Sequence, residues 1–162
     1  MDLIIRNANL PDGRIGIDIG IKDGKIVALE VALTAKAEKE IDASGYLVSP
    51  PFVDAHFHMD ATLSLGQPRL NQSGTLLEGI ALWGELKPHL TVEAIKERAL
   101  RYCDLAVARG LLAIRSHVDI CDPRLLAVDA LLEVRKQVAP YLDLQLVAYR
   151  SRYRSFDNLH QG

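Results

Sequence analysis

Apolar and polar positions alternate through the first part of the chain. Ile15, Ile17, Ile19 and Ile21 are interleaved with Gly16, Asp18, Gly20 and Lys22, the two-residue period of a half-buried strand. Asp23-Gly24 then supplies a tight turn, and Lys25 to Leu29 reads as the returning arm of a hairpin. Leu3 to Leu10 reads as a further short strand, and Asp42-Ala43-Ser44-Gly45 marks a turn before Tyr46-Leu47-Val48. After Pro50-Pro51 the pattern changes to strands alternating with helices, which predicts a parallel sheet built from right-handed crossovers.

In this second part, Phe52 to His58, Leu111 to Val118 and Leu142 to Tyr149 are the predicted strands. A helix is predicted from an N-cap at Thr91 to Gly110, carrying Val92, Ile95, Ala99, Cys103 and Ala106 on one face. Another is predicted to open at Asp122-Pro123, cap followed by proline, and to run to Pro140. The interval from Asp60 to His89 is broken by Gly66, Pro68, Gly74 and Pro88, with a short helix over Thr75 to Leu86. The expected organisation is therefore residues 1–50 as a β domain, 51–149 as β/α units, and 150–162 as an atypical, disordered tail with neither period.

Composition narrows the function. Of 162 residues 49% are hydrophobic and 25% charged, enough apolar material for one ordinary core. A net charge of -2 supplies no basic field, so no nucleic-acid partner is expected. No stretch reaches the roughly 18 apolar residues of a membrane helix, so the expected setting is cytoplasmic, with no membrane partner. Cys103 and Cys121 are too far apart for a CxxC motif and are expected as thiols.

His56-Phe57-His58 carries the strongest chemical signal. Alternate strand side chains share a face, so both imidazoles, with Asp54 and Phe52, project the same way at the C-terminal end of a parallel strand. Neutral imidazole is a favoured zinc and iron ligand, although an H-x-H alone is common. Arg115, His117 and Asp119 form a fainter ionisable face on the second strand, with Asp119 either supporting His117 or capping the next helix. His89 and His160 read as loop and tail residues, Trp83 and Tyr102 as packing residues, and Cys121 as a thiol without an identifiable base.

Leu3-Ile4-Ile5-Arg6-Asn7-Ala8, Asp23-Gly24-Lys25-Ile26 and Pro51-Phe52-Val53-Asp54-Ala55-His56-Phe57-His58-Met59-Asp60 occur in order. Gly66-Gln67-Pro68, Asn71-Gln72-Ser73-Gly74-Thr75-Leu76, Ser116-His117-Val118-Asp119 and Asp143-Leu144-Gln145-Leu146-Val147-Ala148 follow. This series resembles the amidohydrolase superfamily, specifically its cytosine deaminase branch, over roughly residues 1–149. The resemblance implies α/β class: a partial (β/α)8 TIM barrel preceded by part of a small β-sandwich. It implies a metal-dependent hydrolase that deaminates cytosine to uracil and ammonia, with iron or zinc activating water. His56 and His58 would be metal ligands by motif match, and Leu76 and His117 would face the substrate.

Two departures accompany the resemblance. The family continues after Val147-Ala148 with an aromatic residue, proline and a pyrimidine-binding glutamine, where this chain has Tyr149-Arg150-Ser151. The family's remaining metal ligands and acid/base residues come from strands beyond the end of this sequence, so no catalytic residue is assigned, and a truncated barrel open to self-association is expected. The partners expected are a small cyclic amidine such as cytosine and a second copy of the chain. The rival readings are a sister amidohydrolase acting on another cyclic amidine or amide such as an aminotriazine, and a catalytically inactive remnant with an interaction role.

Overall fold

The computed structural model describes residues 1–150, which form a mixed α/β chain of two compact units, the first Met1–Pro50 and the second beginning at Pro51. The tail expected from residue 150 lies, past Arg150, outside the described residues.

The first unit is a four-stranded sheet made of β1 (Leu3–Ala8), β2 (Ile17–Lys22), β3 (Lys25–Val31) and β4 (Lys39–Asp42), in the order β3-β2-β1-β4. β2 pairs antiparallel with β1 and β3, whereas β4 joins β1 in parallel. The hairpin turn falls at Asp23-Gly24 as expected, both residues holding positive φ (50° and 70°), the twist that matches a tight β-hairpin. β4 was not expected, since Lys39-Glu40-Ile41-Asp42 is mostly charged; it is held by its pairing with β1.

β2 departs from the half-buried pattern. Ile17 and Ile19 face the core, but Asp18 and Gly20 on the other face are buried too, and Ile15 stands 77% exposed before the strand begins. Asp18 is covered because it organises its neighbours. Its carboxylate accepts from Asn7 N (3.0 Å), Leu33 N (3.0 Å) and Arg6 Nη1 (2.8 Å), and the same guanidinium reaches Glu40 and the Leu33 and Ala35 carbonyls. Gly20 leaves room for its neighbours, because a Cβ would stand 2.6 Å from Met1 Sδ and 3.2 Å from both Ala28 Cβ and Leu33 Cδ2, so those side chains would have to shift.

Burial alone pushes the Asp18 carboxyl up, but the hydrogen bonds from Asn7, Arg6 and Leu33 outweigh it and the net displacement is downward. A depressed folded-state value adds stability above the ordinary value near 3.8, lost as pH falls through the folded value. Asp18→Asn replaces an acceptor by a donor and is expected to cost about 1–3 kcal/mol near neutrality. Urea titrations should show the deficit shrinking near pH 3; an equal deficit at both pH values would refute the charge argument.

The second unit holds β5 (Phe52–Phe57), β6 (Leu111–Asp119) and β7 (Asp143–Tyr149) in one parallel sheet of that order, with α1 (Leu76–Leu86), α2 (Val92–Val107) and α3 (Leu126–Val138) between them. Thr75 caps α1 and Thr91 caps α2, each hydroxyl accepting an amide three residues on. α3 does not start at Asp122-Pro123. The Asp122 carboxylate instead closes a local turn on the backbone and side chain of Arg124, and α3 begins after Leu125, which takes positive φ. None of these helices, nor any other among the described residues, is long and apolar enough to cross a membrane.

One face of this sheet is apolar. Ile114 and Val118 of β6 and Leu144 of β7 pack beneath Ile95 and Cys103 of α2 and Leu131 of α3 in a single cluster. Arg115, His117 and Gln145 alternate with them and lie on the opposite face of the sheet.

Candidate functional site

β5 carries its side chains to both sides. Phe57 turns toward the helices and stacks on Tyr102 of α2 with ring centroids 4.3 Å apart, while His56 and His58 project the other way. Their rings lie 5.5 Å apart at an interplanar angle of 58°. The strand ends at Phe57, one residue earlier than expected, and His58 opens a 3-10 turn over Met59–Ala61. The β5–β6 register is irregular between Asp54 and Phe57, and Asp54 Oδ1 accepts from His56 N (3.0 Å). The rings are therefore neighbours through a local departure from the strand, not through its ideal period.

Two further rings complete the group. His117 of β6 stacks on His56 with centroids 4.1 Å apart and planes 23° from parallel, and sits 5.9 Å from His58. Tyr149, the last residue of β7, meets His58 edge-on at 5.5 Å. All of these residues stand at or near the C-terminal ends of adjacent parallel strands, where open α/β sheets place their ligands.

His117 is the electrostatically distinctive member. Its Nδ1 is buried, with no hydrogen-bond partner among the described residues. Burial first, then the nearby His56, His58 and Arg115, hold its imidazole below the ordinary value. Asp119 does not support it, contrary to one sequence expectation, and it caps no helix either. Its Oδ1 accepts from Cys121 N (2.8 Å), and its Oδ2 accepts from Trp83 Nε1 (3.2 Å) and pairs with Lys87. Trp83 thus joins a polar tie as well as the packing expected of it.

The donor chemistry can be tested on this geometry. Two imidazoles sharing a tetrahedral cation at a metal–nitrogen distance of about 2.0–2.1 Å have centroids roughly 5 Å apart; the His56 and His58 centroids stand 5.5 Å apart. His117 does not suit the same ion as His56 in this pose, because ring lone pairs lie in the ring plane and the two rings are stacked. Among the described residues no group of three or more His, Cys, Asp or Glu side chains forms a complete donor set.

Of the other expected site residues, Leu76 stands at the first position of α1, 73% exposed rather than walled into a pocket. His89 is an exposed turn residue, as read from sequence, and His160 lies outside the described residues. Burial pushes the Cys103 thiol up to about 11, which suits a packing residue and not a nucleophile. Sequence reasoning gave no role to Asp60 or Ser116, both buried beside the histidines. Asp60 stands in the same motif as His56 and His58, and a carboxylate two residues past an H-x-H was the available signal.

A model of the amidohydrolase family matches residues 39–151. The chain is 37% identical over 153 residues to the N-isopropylammelide isopropyl amidohydrolase of Pseudomonas sp. (strain ADP), covering 91% of this chain and 38% of that enzyme. In structure it is similar to the 5-methylcytosine deaminase of Klebsiella pneumoniae solved with 5-fluorocytosine, with a TM-score of 0.82 and 40% identity, covering 90% of this chain and 36% of the other. The fold is shared with an atrazine chlorohydrolase of Arthrobacter aurescens complexed with zinc, at a TM-score of 0.64 and 19% identity over 91% of this chain and 35% of the other. The chain thus spans less than two fifths of the length of these relatives.

Proposed function

Because this chain belongs to the amidohydrolase family, whose members are hydrolytic enzymes acting on C–N bonds, we propose that it carries the metal-gripping strand of a cytosine deaminase-like hydrolase of cyclic amidines. In this reading β5, β6 and β7 are the first three strands of a (β/α)8 barrel, and residues 1–50 are part of a β-sandwich domain. The observation that carries it is the pair of imidazoles 5.5 Å apart at the open end of a parallel sheet.

His56 and His58 would hold a divalent cation, zinc or iron. Such a cation, when bound, supplies a hydroxide at neutral pH from coordinated water. His117, its ring stacked on His56, would turn a ring nitrogen toward a pyrimidine-like edge. Tyr149 sets an aromatic edge against the His58 ring on that flank. Leu76 stays an apolar wall residue only if a bound substrate covers it.

The match to the Pseudomonas enzyme favours a second substrate class, N-substituted aminotriazines. The lack of a third donor among the described residues favours a different outcome, a polypeptide that grips metal weakly and turns nothing over. One experiment separates the three. The purified chain is assayed for bound zinc and iron, for ammonia release from cytosine and 5-methylcytosine, and for isopropylamine release from N-isopropylammelide. Ammonia from the pyrimidines supports the deaminase reading and isopropylamine the triazine one. Neither product, with no retained metal, decides for the inactive chain.

A further inference from the structure

The β5–β6 ladder reaches only to Phe57, which pairs with Ser116, so His58 lies beyond the last paired residue of its strand. Something else has to hold it. Immediately after it, Met59 N donates to Ser116 Oγ (3.0 Å), and both residues are fully buried. Two residues after it stands Asp60, 2% exposed, with a backbone N–H on each carboxylate oxygen: Ala61 N on Oδ1 (3.1 Å) and Asp119 N on Oδ2 (2.9 Å). The Met59–Ser116 bond thus runs from the turn to β6 and the Asp119–Asp60 bond from β6 to the turn. From the far side, Arg98 of α2 donates to the carbonyls of Asp60 (3.1 Å) and Thr62 (3.0 Å).

We propose that Asp60 is a positioning residue for the histidine pair: its carboxylate, bonded to the Asp119 amide, clamps the turn that carries His58 to the end of β6 and so sets the spacing of His58 from His56 and His117. The inference rests on the reading of His56 and His58 as the pair that grips the cation. The chemistry requires a carboxylate. Two N–H donors converge on Asp60, and an amide in its place offers one acceptor and one donor, so one backbone N–H would face another donor in a buried site. Ser116 is the second half of the clamp, with its hydroxyl standing in for the ladder bond that β5 no longer makes.

The test uses the full chain with histidine side chains labelled for NMR, first without metal and then titrated with zinc alone. In Asp60→Asn the His58 and His117 imidazole signals are expected to move or broaden, and zinc affinity to fall ten- to a hundredfold, the range for residues that orient ligands. Ser116→Ala should give the same pattern more weakly, and Glu133→Gln, at a surface ion pair with Lys96, should give neither. The proposal fails if a folded Asp60→Asn shows wild-type imidazole signals, or if zinc affinity is kept while only the unfolding temperature drops. Should Asp60→Asn not fold, Ser116→Ala decides by the same two readouts. A wild-type chain that binds no zinc overturns the reading of the pair, and the metal-free imidazole spectra then decide the clamp by themselves.

Discussion

Replacing His56 and His58 together by alanine is expected to abolish zinc and iron retention while leaving the unfolding transition of the chain almost where it was. Both side chains are exposed on the face that the helices leave open, and neither belongs to the buried clusters. Substitutions at such positions usually change stability by no more than about 0.5 kcal/mol. Their worth lies in chelation. Outer residues that only orient a ligand are worth about 10–100-fold in affinity, so losing the ligands themselves should lower zinc affinity by a hundredfold or more. Metal content after dialysis and thermal unfolding, measured on the same sample, check both halves. A double variant that retains metal would move the site elsewhere, and one that unfolds would make the pair structural.

This separation of chemistry from stability explains what could be read from the residues. The core of the second unit was legible because it repeats: Ile95, Ala99, Cys103 and Ala106 recur at helical spacing, and all four are buried on α2. Strand alternation likewise placed Ile114 and Val118 under the helices and His117 on the other face. The hairpin at Asp23-Gly24 was legible for a similar reason, since few residues tolerate positive φ in succession. β4 was not, because a strand of Lys39, Glu40, Ile41 and Asp42 owes its existence to a neighbour far away in sequence. The start of α3 was misread because Asp122, a good cap by type, spends its carboxylate on Arg124.

The site was legible in its parts and not in its assembly. His56, His58 and His117 stand out by residue type, but their approach depends on a strand that leaves its regular register after Asp54, which no period encodes. The partners of Asp119 were misassigned for the same reason. Sequence proximity suggests His117 or the following helix, whereas Trp83 and Lys87 reach it from a segment more than thirty residues earlier. Asp60 is the extreme case: the motif spacing marks the carboxylate, but its task comes from burial and two backbone donors that only the fold brings to it.

Ile114→Ala should show the converse of the histidine result, a large loss of stability with the zinc site unchanged in each folded molecule. Ile114 is 2% exposed at the centre of the middle strand, paired with Asp54 on one side and Leu144 on the other, and belongs to the cluster beneath α2 and α3. Truncating it removes buried methyl groups and leaves a cavity that a three-stranded sheet cannot readily collapse, at a cost of about 2–5 kcal/mol. That is a large share of the roughly 5–15 kcal/mol that holds a domain together. Ile114→Val, which keeps most of the volume, should cost only about 0.5–1.5 kcal/mol. Because Ile114 faces the helices and His117 three residues on faces away, the folded fraction of either variant should bind zinc with wild-type affinity. Denaturant titrations give the first quantity and zinc isotherms at low temperature the second. If affinity fell in step with stability in both variants, the two faces of β6 would be mechanically coupled, and the packed side of the sheet would belong to the chemistry as much as the open one.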